Sequence, residues 1–291
     1  MRNRRKSAVG AAYAVPTAVI VTVFFLIPLG LVAVMSVNHW PLLGHATPNF
    51  PTNYTDLADN DLLRHAVGFT LKYTIIITVV LFTVSFALAL LVQNPRPGVG
   101  ALRTAFFLPT AVGFATASLL FLGMLSNEIG PVNPLLQHLG LIDKPIDWIT
   151  GSPNTALSST VGLVTWRFAG FNMLILLTGL QAIPTELYEA ARVDGASRLQ
   201  AFRRITLPLM RPTIALVLIM MITGSLLAFD QFYIMTQGGP DDSTTSVVMV
   251  IVRQAFVKFN LGSAAAISVA ALAVLIVLNV VQLSVLRRRN P

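Results

Sequence analysis

The chain has 291 residues, 55% of them hydrophobic and only 11% charged, with a formal net charge of +8. A soluble domain carries roughly 45–50% apolar and about 25% charged residues, so this composition, with a mean hydropathy of +0.73, excludes a soluble enzyme and a disordered chain. There is no cysteine, and His39, His45, His65 and His138 fall in no ligand spacing, which excludes a disulfide framework and points away from a metal site.

A bilayer core about 30 Å thick requires about 20 apolar residues in a helix, and six windows meet that length. Residues 11–37 form the first, with Pro16 and Pro28 but no charged side chain. Arg2, Arg4, Arg5 and Lys6 precede it in the manner of a secretory signal. A signal's apolar run is about 7–15 residues, however, and this one is far longer, so it reads as a retained span. The second and third windows are 71–92 and 105–125. The fourth, 158–183, contains Arg167, and the fifth and sixth are 213–235 and 262–286. Residues 247–259 are apolar but short and hold Arg253 and Lys258. They read as a helix lying at the membrane surface.

Basic residues orient the spans. With the N-terminus cytoplasmic, the inner segments hold Arg2, Arg4, Arg5, Lys6, Arg96, Arg103, Arg192, Arg198, Arg203, Arg204, Arg211, Arg287, Arg288 and Arg289. The outer segments hold only Arg64, Lys72, Lys144, Arg253 and Lys258. The expected fold is therefore an all-α, multi-pass membrane protein of six transmembrane helices with both termini cytoplasmic. The positive charge then has a topological cause, and no nucleic-acid partner is needed to explain it.

The outer segment 126–157 carries the turn pairs Gly130-Pro131 and Asn133-Pro134 and the triplet Gly151-Ser152-Pro153. The longest inner connection, 184–212, has the marks of two short helices. Thr185 is placed to cap the first, through Val193, with Glu186 and Glu189 near its positive end. Gly195 is placed to end it. Ser197 and Gln200 form a capping-box pattern for the second, whose Leu199, Phe202 and Ile205 share a face until Pro208 and Pro212 stop it. Such a projection is either a grip for another protein or a charged hairpin that only serves the orientation bias.

The residues of this connection favour the first reading. Glu189-Ala190-Ala191, Asp194-Gly195-Ala196, Phe202, Ile205, Leu207-Pro208 and Pro212 resemble, at every fixed position, the EAA loop of binding-protein-dependent ABC importer permeases. Trp166 with Gly170-Phe171-Asn172, Gly179 to Pro184, Phe229-Asp230 and Thr236 to Pro240 are similar to the fourth and fifth spans of the carbohydrate-uptake branch, on the side of the larger maltose permease subunit. The resemblance implies the type I ABC importer permease fold in a bacterial cytoplasmic (inner) membrane. It implies a second, usually different permease subunit, two ATP-binding subunits and an extracytoplasmic solute-binding protein or lipoprotein. It also implies that this chain is no enzyme and binds no cofactor, ATP and Mg being held by the partner ATPase. The chain contains no G-x-x-x-x-G-K-[ST] phosphate loop.

From the same resemblance, Glu189, Ala190, Ala191, Asp194, Gly195 and Ala196 are expected to couple to the ATPase. Small Ala faces allow close approach, Glu189 can pair across the contact, and Gly195 permits the sharp turn. The expected substrate path holds Trp166, Phe168, Ala169, Asn172, Ser225, Phe229 and Asp230, because polar groups at membrane depth survive where they face protein or water and aromatic faces stack on sugars. In the family, sugar contacts fall at the positions of Phe168, Ala169, Asn172 and Ser225, with an aromatic at Asn172 and Asn at Ser225. Each has an alternative: Asn172 and Ser225 could bond a neighbouring helix, Trp166 could anchor at the interface, and Phe229 could be packing. Arg167 could snorkel outward, pair with Asp230 or touch substrate. The rival function is a secondary transporter or channel working without an ATPase, for which inverted repeats or an acidic filter would be expected.

Overall fold

The computed structural model describes residues 13–287, and Arg2, Arg4, Arg5, Lys6, the start of the first expected span, Arg288 and Arg289 lie outside them. Among the described residues the fold is helical apart from a two-residue antiparallel ladder, β1 (Asn38–His39) with β2 (Thr47–Pro48). The chain divides into two compact units, Met1–Asp61 with Val250–Ile276, and Leu62–Met249 with Val277–Pro291.

The first unit contains α1 (Tyr13–Ser36), apolar and without a buried position in its most apolar stretch, as suits a helix surrounded by hydrocarbon. Below it, α2 (Thr52–Ala58) is tied to the chain by the buried amide of Asn53. That amide donates to the carbonyls of Ser36 and Asn38, each at 2.9 Å. A side chain at Gly262 would collide with the Asn38 carbonyl, so the two segments meet backbone to backbone.

The second unit is built around α7 (Pro153–Gln181), which packs against α4 (Val99–Ala111), α5 (Phe114–Met124) and α10 (Arg211–Leu226). Its N-terminus is fixed by a reciprocal Ser152–Thr155 capping box. Leu163, Met173 and Leu176 on α7 are wholly buried, together with Tyr73, Ala89 and Val92 of α3 (Asp61–Val92) and Val217 of α10. Beyond α5 lie the short α6 (Val132–His138) and, past α7, α8 (Thr185–Val193) and α9 (Arg198–Leu209).

Among the described residues four helices are long and apolar enough to cross a membrane, and two bent pairs bring the number to six if each counts as one span. The first of these bends and a separate break after Leu226 depart from the continuous helices expected for the third and fifth spans. Between α4 and α5 the axis turns by 95°, because Val112 is extended and Gly113 caps a new helix. The freed Val112 carbonyl is taken up by α7, accepting from Arg167 Nε at 3.0 Å, and Thr110 Oγ1 ties the break to the same helix by donating to the Arg167 carbonyl at 2.9 Å. The fifth span was expected to run to Met235, but α10 stops at Leu226 and a short π-helical turn, α11 (Phe232–Thr236), follows. Ser246 Oγ donates to the Ala228 carbonyl in that gap at 2.7 Å. Non-helical backbone at membrane depth survives only where its polar groups find such partners.

The loop 126–152 folds on Asn133, which is buried. Its amide donates to Asn127 Oδ1 at 2.7 Å and to the Ile146 carbonyl at 3.0 Å, and its Oδ1 accepts from the Ile146 amide and from Trp148 Nε1. Asn133→Leu strands several of these groups and is expected to destabilise the loop by about 2–4 kcal/mol, seen as accelerated proteolysis between α5 and α7. Nearby, Thr150 holds the Asp147 carboxylate below its ordinary pKa, its hydroxyl donating at 2.6 Å and its amide at 2.8 Å, with the Ile149 amide adding a third bond. A lowered native pKa makes the contribution complete above about pH 4 and removes it as the pH falls through the native value. Exchange of the Ile149 and Thr150 amides is therefore expected to stay slow at about pH 5 and to quicken, relative to neighbouring amides, only in stronger acid.

Candidate functional site

Two features of the second unit carry chemistry. The first is a cavity of about 270 Å³ between α3, α5, α7, α10 and the gap after α10. Helical spacing decides which side chains reach it. On α3 the wall is Tyr73, Ile77 and Leu81; on α7 it is Val164, Phe168, Phe171 and Asn172. Both sets repeat at three- or four-residue intervals and so occupy one stripe. Leu227, Ala228, Phe229, Asp230 and Gln231 line it consecutively, which an unbroken helix could not allow. The break in the fifth span is thus what opens backbone and side chains together to the cavity.

Of the residues expected on the substrate path, Phe168, Asn172, Ser225, Phe229 and Asp230 line this cavity. Trp166 and Ala169 do not. Trp166 lies two residues before Phe168, about 200° around the helix, and packs on Phe121 at 5.4 Å between ring centroids. Ala169 is buried in the core.

Two of the polar members, Asn172 and Ser225, are already engaged. Asn172 Nδ2 donates to the Phe168 carbonyl at 2.9 Å, and Ser225 Oγ to Thr74 Oγ1 on α3 at 3.1 Å and to the Ile222 carbonyl at 2.9 Å. Ser225 therefore does bond a neighbouring helix, while still facing the cavity. Arg167 places its guanidinium over the rings of Phe114 and Phe168, 4.9 and 4.4 Å from their centroids. With its bond to Val112 it clamps the break in the third span and holds an aromatic wall. Tyr73, Phe114, Phe171 and Gln231 escaped the sequence reading. A lone Tyr and a lone Gln in otherwise apolar stretches were the available signal, but only their meeting across α3 and the gap after α10 gives it meaning.

The second feature is the projection α8–α9. Pro184, not Thr185, is the residue preceding α8, and no side-chain cap forms there. At the other end Gly195 is left-handed with φ of 75°. The Ala196 amide donates to the Ala191 carbonyl at 2.8 Å and the Gly195 amide to that of Arg192 at 3.1 Å, which is the paired C-terminal closure a glycine permits. The Ser197–Gln200 box is complete in both directions, at 3.3 and 2.7 Å. α9 ends at Leu209, between Pro208 and Pro212, as their placement predicts. A π-turn over Phe202–Thr206 widens the helix ahead of the proline, and the chain bends, by 66°, only at Met210.

The base of the projection is fixed. Tyr188 Oη and Thr206 Oγ1 share a hydrogen bond at 2.9 Å, and Phe202 meets Phe86 of α3 edge-on at 6.0 Å. Its outer side is open: Glu189, Ala190, Asp194 and Gly195 are exposed, Ala191 and Ala196 half-buried, and Val193 is 88% exposed. An apolar tip beside a carboxylate, on a helix held rigidly at its root, can transmit a push.

Comparison with known proteins places this architecture. Residues 9–290 match the family model described as binding-protein-dependent transport system inner membrane component. The chain is 34% identical over 238 residues to the sulfoquinovosyl glycerol transport system permease protein of Agrobacterium fabrum, covering 82% of this chain and 76% of that one. It is 32% identical over 297 residues to the trehalose/maltose transport system permease protein of Thermococcus litoralis, covering 98% and 96%. The fold is shared with a chain of a bacterial ABC transporter involved in the import of the acidic polysaccharide alginate. The TM-score there is 0.87 at 23% identity, over 100% of this chain and 99% of that chain.

Proposed function

The chain belongs to the family of binding-protein-dependent transport system inner membrane components, and on that premise we propose that it is the permease subunit of an ATP-driven importer of a sugar. As a member of that family it is a membrane permease and not the ATPase. The sugar reading rests on relatives named for trehalose and maltose and for a multiple sugar-binding system. The observation that carries the mechanism is the rigidly rooted, outwardly open projection between α7 and α10.

In this reading six spans cross a bacterial cytoplasmic membrane with both termini inside, as the distribution of basic residues supports. The chain forms half of a translocation path whose other half is a second permease subunit. An extracytoplasmic binding protein delivers the solute; a related alginate transporter has been solved in complex with its substrate-bound periplasmic protein. Two ATPase subunits bind ATP and Mg and take hold of the projection. The Glu189–Ala196 segment docks with them, so their closure moves α8 and α9 as a unit and swings the spans on either side. Phe168, Asn172, Ser225, Phe229 and Asp230 face the passing solute.

The native chain has no cysteine, so a single Ala190→Cys reports one position. With a cysteine introduced in the ATPase cleft, it is expected to cross-link to that subunit in an ATP-sensitive way. ATP-dependent sugar uptake by the reconstituted assembly tests the reading as a whole. Uptake by this chain alone in vesicles, without any ATPase, would overturn it in favour of a secondary transporter or channel.

A further inference from the structure

Tyr73 and Gln231 both line the cavity and are among the most deeply buried side chains of the protein, 1% and 2% exposed. They meet across α3 and the gap after α10: Gln231 Nε2 donates to Tyr73 Oη at 3.2 Å. The other end of the amide, Gln231 Oε1, is closed off from solvent and has no hydrogen-bond partner. Buried amides in native proteins are nearly always satisfied, and an orphan needs a reason. An apolar pair of the same shape would fill this position without the penalty of a stranded carbonyl.

We infer that Tyr73 and Gln231 form a hydroxyl-binding pair on the wall of the substrate path, the phenol fixing the amide and the unused amide atom bonding a hydroxyl of the sugar. The phenol is held in place by its neighbours, edge-on to Phe232 at 4.9 Å and stacked beside Phe69 at 6.4 Å. The amide is the part that moves: its unused atom is covered in this state and meets a solute only when the side chain turns toward the cavity. A phenol both donates and accepts, so Tyr73 can hold Gln231 by its NH2, as here, or by its carbonyl after rotation about the terminal bond. One orientation leaves an acceptor over, and the other a donor.

A ligand hydroxyl, itself donor and acceptor, satisfies whichever is left and needs no fixed polarity. The rings of Phe114, Phe168, Phe171 and Phe229 on the remaining wall suit the C–H faces of a sugar ring. A polar edge opposite an aromatic wall is the two-sided chemistry that such a ring presents.

This inference rests on the proposed function, and its test separates the two. The assembled transporter is reconstituted with its partner subunits, and uptake of maltose, trehalose and lactose is measured for the unaltered complex and for the double variant Tyr73→Phe/Gln231→Leu. The variant removes both polar groups and preserves their shape. It is expected to assemble with an unchanged or higher melting temperature and to show a KM raised about tenfold, since about 1.4 kcal/mol corresponds to that factor. A pair that is only structural predicts the reverse, altered stability with an unaltered KM, and that result would overturn the inference. If the double variant does not assemble, Tyr73→Phe alone, which removes only the phenol's grip, is expected to raise KM severalfold, and an unchanged KM would again be decisive against it. Should the unaltered complex show no ATP-driven uptake of these or of any sugar held by its binding protein, the proposed function fails and takes this pair with it. If only the variant matches the unaltered complex, the pair alone is rejected.

Discussion

Glu189→Lys is expected to leave the permease inserted in the membrane at normal levels and to reduce ATP-driven uptake by two orders of magnitude or more. Glu189 is exposed on α8, and surface substitutions away from packed or strained positions change stability by only about 0.5 kcal/mol. Insertion and folding therefore survive. On the proposed docking the bound state does not, because removing one partner of a buried charge pair at an interface typically costs about 2–5 kcal/mol or more, and each 1.4 kcal/mol is roughly tenfold. Co-purification with the ATPase, uptake and immunoblotting of membranes give the three readouts.

A companion variant, Gly195→Val, attacks the turn instead of the charge. At φ of 75° a β-branched side chain costs about 1–2 kcal/mol and unsettles the closure that sets the angle between α8 and α9. Uptake should fall while Ala190→Cys still cross-links, though to a different extent. Wild-type uptake by Glu189→Lys would mean that the projection is only a charged hairpin.

The largest effect on folding is expected at Gly170. A Cβ there would run into the Phe106 carbonyl and the Phe107 nitrogen of α4, and these are backbone atoms that no rotamer change can move aside. Gly170→Val forces α7 and α4 apart where they touch most closely. It also shifts the anchors of the third-span break, since Arg167 and Phe168 lie within a turn of Gly170. Overpacking alone costs about 1–3 kcal/mol and occasionally more, and here the helix contact goes with it, so the variant should scarcely accumulate in membranes.

Gly162 on the same helix is the control. A Cβ there meets nothing within 4 Å, and Gly162→Ala should be neutral or stabilising by about 0.5–1 kcal/mol. Quantifying each variant in membranes, with thermal unfolding in detergent, separates the two glycines. Equal accumulation would show that α7 and α4 do not depend on this approach.

Local signals in the chain were read where the physics is local. The Ser197–Gln200 box and the Gly195 closure involve residues within five positions of one another, and both form as their spacing requires. The EAA pattern was legible on other grounds, as a resemblance of residues 189–212 to a known family. The π-turn ahead of Pro208 was not anticipated, because it leaves no mark in the residue pattern, only in the widened backbone.

The composition and the apolar runs by themselves determined a helical membrane protein, since burial in hydrocarbon depends on side-chain type more than on neighbours. The helix of the second span, however, starts at Asp61 instead of Leu71, and that of the fifth ends at Leu226 instead of Met235. The apolar runs could not determine the bend at Gly113 or the break after Leu226. Those depend on Arg167 and Ser246, which satisfy the opened backbone from 55 and 18 residues away. Nor could they bring Tyr73 to Gln231, a meeting across 158 residues. Only the packing of distant helices decides which freed carbonyls find donors, and so where a transmembrane helix can break to make room for a solute.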